Sequence, residues 1–200
     1  MAKPMTRIQK RNREAILAAA LDVFSQYGFR GTTLDQVAQA AGLSKPNLLY
    51  YFGSKEAIHS ELLEQLLEDW LDPLLALDPD GEPVEEMLAY ARRKLLMSRD
   101  TPRESRLFAN EILQGAPHIA PHLKDELKPL VDEKAEVIRG WIAAGKLRAL
   151  DPHHLIFSIW SLTQHYADFD VQVRAVLGRD DYFEDAERHL DAMLRGALTP

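Results

Sequence analysis

Cysteine is absent from the 200 residues. That excludes disulfides and thiolate-held metal sites, and it fits a reducing, cytoplasmic setting. No apolar run approaches the roughly 18 residues of a bilayer-spanning helix. The amino-terminal MAKPMTRIQKRNRE is basic but lacks the apolar centre of a signal peptide. Alternating strand patterns, internal repeats and low-complexity tracts are missing. So are the phosphate-cradling glycine loop, the nucleophile elbow and the zincin helix, so no enzyme is expected. His118 and His122 have i,i+4 metal-ligand spacing, but Pro117 and Pro121 disturb the helix that spacing requires. His153 and His154, near a helix start, read as solvated surface. Neither a metal nor a cofactor is expected.

What is present points elsewhere. Hydrophobic residues make up 46% and charged residues 28%, a globular balance. The net charge of −7 is unevenly spread. Residues 1–60 hold eight Lys/Arg against four Asp/Glu, and residues 61–200 hold sixteen against twenty-seven. A basic head on an acidic body suits a protein whose head alone meets a polyanion.

Helical periodicity dominates. Ile16, Leu17, Ala20, Leu21 and Phe24 mark an amphipathic helix over about 7–27, ended by Gly28. Thr33 with Gln36 forms a capping box for a short helix that stops at Gly42. Ser44 caps the next, with Pro46 in its first turn. Ser54 caps a fourth helix running towards Leu75, and ALDPDGEP breaks the chain at 76–83. Further helices are expected over 84–99, 102–114, 122–144, 152–177 and 181–196. Thr101 and Glu104 form another capping box. The expected fold is all-α, with about nine helices.

Residues 33–51 thus read as two short helices joined by a glycine turn. In a helix-turn-helix the second helix enters the major groove by its amino-terminal part. Leu34, Val37, Ala38, Leu43 and Leu48 supply the seam, leaving Lys45, Pro46, Asn47, Leu49 and Tyr51 outward. Lys45 and Asn47 can address base edges or phosphates, and Pro46 and Leu49 a thymine methyl. Thr33 offers a phosphate contact at a helix start. Lys55 is a cation in a first helical turn, where a nearby phosphate would offset its conflict with the helix dipole. Tyr50 and Phe52 are expected in the core.

The stretch TTLDQVAQAAGLSKPNLLYYFGSKEAI, preceded by ILAAALDVFSQYGFRGTT, resembles the amino-terminal signature of TetR-family transcriptional regulators over about residues 10–60. The resemblance implies a homodimer. Its three-helix DNA-binding head covers 1–54, and an antiparallel helical body at 55–200 binds ligand and dimerises. Many members carry tyrosine where Leu49 stands and histidine where Tyr51 stands, so base preference does not carry over. Three body segments, SRLFANEILQGAP, LVDEKAEVIRGWIAAGKL and DPHHLIFSIWSLTQHYADF, are similar to the pyrimidine-utilisation regulators of that family. That implies control of pyrimidine catabolism genes and an effector that is uracil or thymine, while a symmetric dimer calls for a near-palindromic operator. The alternative is a TetR-like repressor for another heterocycle or an aromatic ligand.

The residue chemistry allows a uracil site. Trp160 and Gln164 are four apart and share a helix face. A glutamine amide can both donate to a uracil carbonyl and accept from its N–H, and an indole can stack on the ring. Trp70 on the fourth helix completes this set. Arg106 and Asn110, also four apart, are further candidates, as are His165, Tyr166 and Asp168. Arg106 would serve an anionic effector. For the dimer seam, Ile156, Ile159 and Leu162 of the eighth expected helix and Leu190, Met193 and Leu194 of the ninth supply apolar surface, with single-chain packing as the alternative.

Overall fold

The computed structural model describes residues 6–200, and the first five residues, where the basic amino-terminal stretch begins, lie outside the described residues. Every regular element among the described residues is helical, as expected. Among the described residues, no helix is long and apolar enough to cross a membrane. Contacts divide the chain into two compact units. One holds residues up to Leu67 together with Arg106–Ala120; the other holds Glu68–Ser105 with Pro121–Pro200. The expected division after residue 54 follows the motif, whereas this one follows packing.

The first unit is built around α1 (Arg7–Gly31), α2 (Leu34–Ala40), α3 (Lys45–Tyr51) and the first part of α4 (Lys55–Leu75). Thr6 and Gln9 cap α1 reciprocally, and Ile16, Leu17, Ala20 and Phe24 form its buried stripe. Gly28 interrupts the helical backbone at φ 66, ψ 173. That region is essentially reserved for glycine, so the expected end of the long helix is real, although one more turn follows it. The Thr33–Gln36 capping box forms, Gly42 turns the chain at φ 66, and the Ser44 hydroxyl accepts from the Asn47 amide.

The second unit packs α5 (Pro83–Asp100), α8 (Lys128–Ala143), α9 (Pro152–Asp168) and α11 (Phe183–Leu198) about one core. Trp141 donates to the Pro79 carbonyl (3.0 Å) and anchors the 76–82 break. Two expected helices are interrupted. The 122–144 helix begins as α7 (Ala120–His122) and a π-helical turn, Leu123–Leu127, before α8. In that turn the Lys128 amide bonds to the Leu123 carbonyl, and the wider coil makes room for Pro129, which lacks an amide and crowds the preceding turn. The 152–177 helix breaks at Phe169 (φ −116, ψ 27) before α10 (Asp170–Leu177). There the Tyr182 hydroxyl donates to the Asp170 carboxylate (2.6 Å) and the Tyr166 carbonyl (3.3 Å), taking an acceptor that a continuous helix would use.

Two other expectations are corrected. The Thr101 hydroxyl donates back to the Met97 carbonyl (2.8 Å), so it closes α5, and a Glu104 oxygen is left without a hydrogen-bond partner. The Thr101–Glu104 capping box at the start of α6 (Pro102–Leu113) does not form. In the dimer seam, Ile156, Ile159, Leu190 and Leu194 are buried in the core of their own unit and Leu162 packs against it. Only Met193 of that set is exposed. A core shared by four helices absorbs the apolar surface that one bundle was not expected to need.

Candidate nucleic-acid interface and effector site

The seven residues of α3 are held by one side. Leu48 is fully buried and Phe52, one turn on, is 3% exposed. The Arg13 guanidinium lies over the Phe52 ring at 4.1 Å, donates to the Tyr51 carbonyl (3.0 Å) and pairs with Glu61. Lys45, Pro46, Asn47 and Leu49 occupy the exposed side. Lys45 meets Asp35 of α2 at 2.8 Å in an exposed ion pair, a contact of little net worth that a phosphate can replace. Thr33 is exposed at the start of α2, with its hydroxyl and amide both engaged by Gln36.

Three placements differ from simple expectation. Tyr50 is not core: it is 71% exposed, because it stands two positions from both Leu48 and Phe52 and so faces away from them. Its hydroxyl accepts from Gln9 (3.2 Å). Tyr51 is half-buried, accepts from Asn12 (2.9 Å) and lies edge-on to Tyr50. Lys55 turns to α1. Its ammonium donates to the Phe29 and Thr32 carbonyls (both 2.8 Å) and lies over the Phe29 ring. It closes the end of α1, a favourable place for a cation, and two of its three N–H groups are spent there.

In the second unit α5 links the two tryptophans. Tyr90 and Lys94 are one turn apart on the same face of α5. Tyr90 accepts from the Trp160 indole N–H at 2.6 Å, and the Lys94 ammonium lies 4.4 Å from the centre of the Trp70 ring. Lys94 is 4% exposed and has neither a hydrogen bond nor a carboxylate partner for its ammonium among the described residues. Burial lowers its pKa to about 8. Burial also raises the Tyr90 phenol, against the pull of the Trp160 N–H. Gln164, one turn beyond Trp160, is half-buried, and its amide makes no hydrogen bond among the described residues. Phe157 flanks Trp160 at 5.4 Å.

The structure therefore joins Trp70 to Lys94 and Trp160 to Tyr90 along one helix. Arg106 and Asn110 belong to the other unit, where Arg106 is half-buried and Asn110 exposed. Asp168 accepts from the Ser105 hydroxyl (2.6 Å), His165 is exposed and stacked on Phe169, and Tyr166 stacks on Tyr182. Sequence reasoning missed Tyr90 and Lys94. Their signal was present: Met87, Tyr90, Ala91, Lys94 and Leu95 recur at helical spacing, which puts a lysine on an apolar stripe. His118 and His122 do not act as a pair. His122 approaches Glu126 (3.9 Å), while His118 joins Glu111 (3.1 Å), which also meets His59 (3.3 Å).

Comparison with known proteins follows this division of labour. Residues 16–62 match the family described as bacterial regulatory proteins, tetR family, and residues 63–200 match the YcdC-like protein, C-terminal region. The HTH-type transcriptional regulator RutR of Escherichia coli K12 is 52% identical over 181 residues, covering 89% of this chain and 85% of that protein. Among solved structures, a putative transcriptional regulator, SCO4942 of Streptomyces coelicolor, superposes with a TM-score of 0.75 at 22% identity over 94% of this chain and 99% of that one. AibR, solved with isovaleryl coenzyme A and operator DNA, gives 0.74 at 19% identity, again over 94% and 99%.

Proposed function

The chain belongs to the TetR family of bacterial regulatory proteins, and from that premise we propose that it is a pyrimidine-responsive regulator whose operator affinity falls when uracil or thymine binds the body. It is a RutR-like DNA-binding transcriptional regulator, not an enzyme. The observation that carries the effector reading is the α5 pairing of Tyr90–Trp160 and Lys94–Trp70 beside the unsatisfied Gln164 amide. A flat ring with alternating carbonyl and N–H groups suits indole faces, a lysine donor and a glutamine that both donates and accepts. The 52% identity to RutR supports the same choice, since the body segments resemble the pyrimidine-utilisation regulators.

On the DNA side, Lys45, Pro46, Asn47 and Leu49 face the groove, Thr33 meets a phosphate, and exposed Tyr50 joins them. Tyr51 and Lys55 act by positioning, through Asn12 and the end of α1. α4 carries both Lys55 and Trp70, so effector and reader share one helix. A symmetric dimer would place two reading helices about one duplex turn, roughly 34–36 Å, apart. In place of the buried seam residues, the dimer face uses exposed Phe157 on α9 with Met193 and the small Ala192 and Gly196 on α11.

Isothermal calorimetry with uracil and thymine, with and without operator DNA, tests this. The expected coupling of about 1–3 kcal/mol must appear in both directions, and Trp160→Ala and Gln164→Ala must lose effector binding while keeping operator binding. Equal uracil affinity with and without operator would sink the switch. Failure of any pyrimidine to bind would redirect the effector reading to another heterocycle.

A further inference from the structure

Glu111 on α6, His118 in the segment after it and the sequence-distant His59 on α4 converge inside the first unit and are used by neither the reading helix nor the effector proposal. One Glu111 oxygen lies 3.3 Å from His59 Nε2 and 3.1 Å from His118 Nδ1, and the other accepts the His118 backbone N–H at 2.6 Å. His59 and Glu111 are almost completely buried and His118 is largely so. The ring of Phe24 packs on His59, and that of Phe29 packs on both imidazoles; the two imidazoles meet nearly at right angles.

We propose that His59, Glu111 and His118 form a binding site for a divalent transition-metal ion, of which zinc is the best fit. Two imidazoles and one carboxylate are a zinc donor set, and three protein ligands leave a fourth position for water or an exogenous group. With ligands at about 2.0–2.2 Å in a tetrahedral arrangement, neighbouring donor atoms stand about 3.3–3.6 Å apart, close to the separations seen here. The three donor atoms lie within 4.8 Å of one another, so closure needs only small side-chain rotations. Calcium and magnesium prefer all-oxygen shells and are excluded by the two nitrogens.

The protonation states agree. Burial holds His59 below its ordinary pKa, against the pull of Glu111. Burial pushes Glu111 up, but the His118 amide, the His118 ring and His59 together bring its carboxyl below the usual range. The cluster therefore offers a neutral imidazole and an ionised carboxylate near pH 7, as a metal requires. His59 Nδ1 is buried with no hydrogen-bond partner. The ion would tie α4 to the segment after α6. Lys55, one turn before His59 on α4, already holds the end of α1, and Phe29 touches Lys55 and both imidazoles. The site thus braces the unit that carries the reading helix.

The test uses full-length, tag-free, chelator-stripped protein without operator or pyrimidine, so its result is independent of the function proposed above. Zinc titration by calorimetry is expected to give one ion per chain and a rise in melting temperature. Cobalt should give the visible absorption of a four-coordinate site. Glu111→Gln and His118→Ala are expected to weaken zinc at least about tenfold and abolish the cobalt bands. His189→Ala, an exposed histidine outside the cluster, should change neither. Circular dichroism establishes that each variant is folded, and cobalt spectra of wild type remain decisive should one not be. Absence of stoichiometric zinc binding, or equal binding by Glu111→Gln and His118→Ala, overturns the site and leaves a hydrogen-bonded histidine–glutamate triad.

Discussion

Lys94 carries a cost that its neighbours do not relieve. A buried ammonium with only an indole face for company loses hydration that a cation–π contact returns in part. Its ordinary pKa of 10.5 falls to about 8 in the fold. Between those values the unfolded chain binds the proton more tightly, so this group's contribution to stability improves as pH rises from about 8 towards 10.5, and its full cost is present below 8. Replacing Lys94 with methionine should stabilise the protein by about 1–3 kcal/mol at pH 7, and the advantage should shrink through that pH window. Denaturant melts of both proteins at pH 7 and pH 10 check it. The same variant should lose pyrimidine binding, because the stranded ammonium is the donor that the effector would satisfy. Residue types alone pointed to Trp160 and Gln164, since an indole and an amide four apart announce a shared face. They did not reveal that the Trp160 N–H is already spent on Tyr90, which leaves that indole to act by stacking.

At the scale of elements, short helices are held by caps and by what grips their ends. Gly28 lets α1 finish a long run, turn, and present the Phe29 and Thr32 carbonyls to Lys55. A Cβ there meets nothing within 4 Å, so Gly28→Ala should cost about 1–3 kcal/mol from backbone strain alone. A chemical melt would register it, and operator binding should weaken with it because α4 loses its hold on α1. Caps were legible: Thr33, Ser44 and the glycines at 28 and 42 mark real boundaries. The break at Phe169 was not, because residues 152–177 keep a helical pattern throughout and the interruption depends on Tyr182, which is distant from Phe169 in the chain. The Thr101 box failed for a related reason. A hydroxyl at a helix junction can serve either neighbour, and the end of α5 claimed it.

The whole molecule is acidic, yet its reading helix presents Lys45 on an amino-terminal region with a cationic excess. Operator affinity should therefore fall steeply with salt. Lys45→Ala should make the log–log slope shallower by about 0.9 for each phosphate left unneutralised, or about 2 for a dimer. Fluorescence anisotropy across a salt series measures it; an unchanged slope would mean that Lys45 stays paired with Asp35 on DNA. Phe157→Glu should convert the dimer to monomer by light scattering while leaving helix content intact, since Phe157 is exposed on α9. By itself the sequence determined the helical class, most of the caps and the helix-turn-helix, because each is written in neighbours a few residues apart, where periodicity and local hydrogen bonding decide. Only tertiary structure decided that Ile156 and Leu190 face a core within the chain, that Lys94 lies on Trp70, and that His59, Glu111 and His118 converge. Those outcomes depend on which helix faces are brought together, and the packing of distant segments has no local signature.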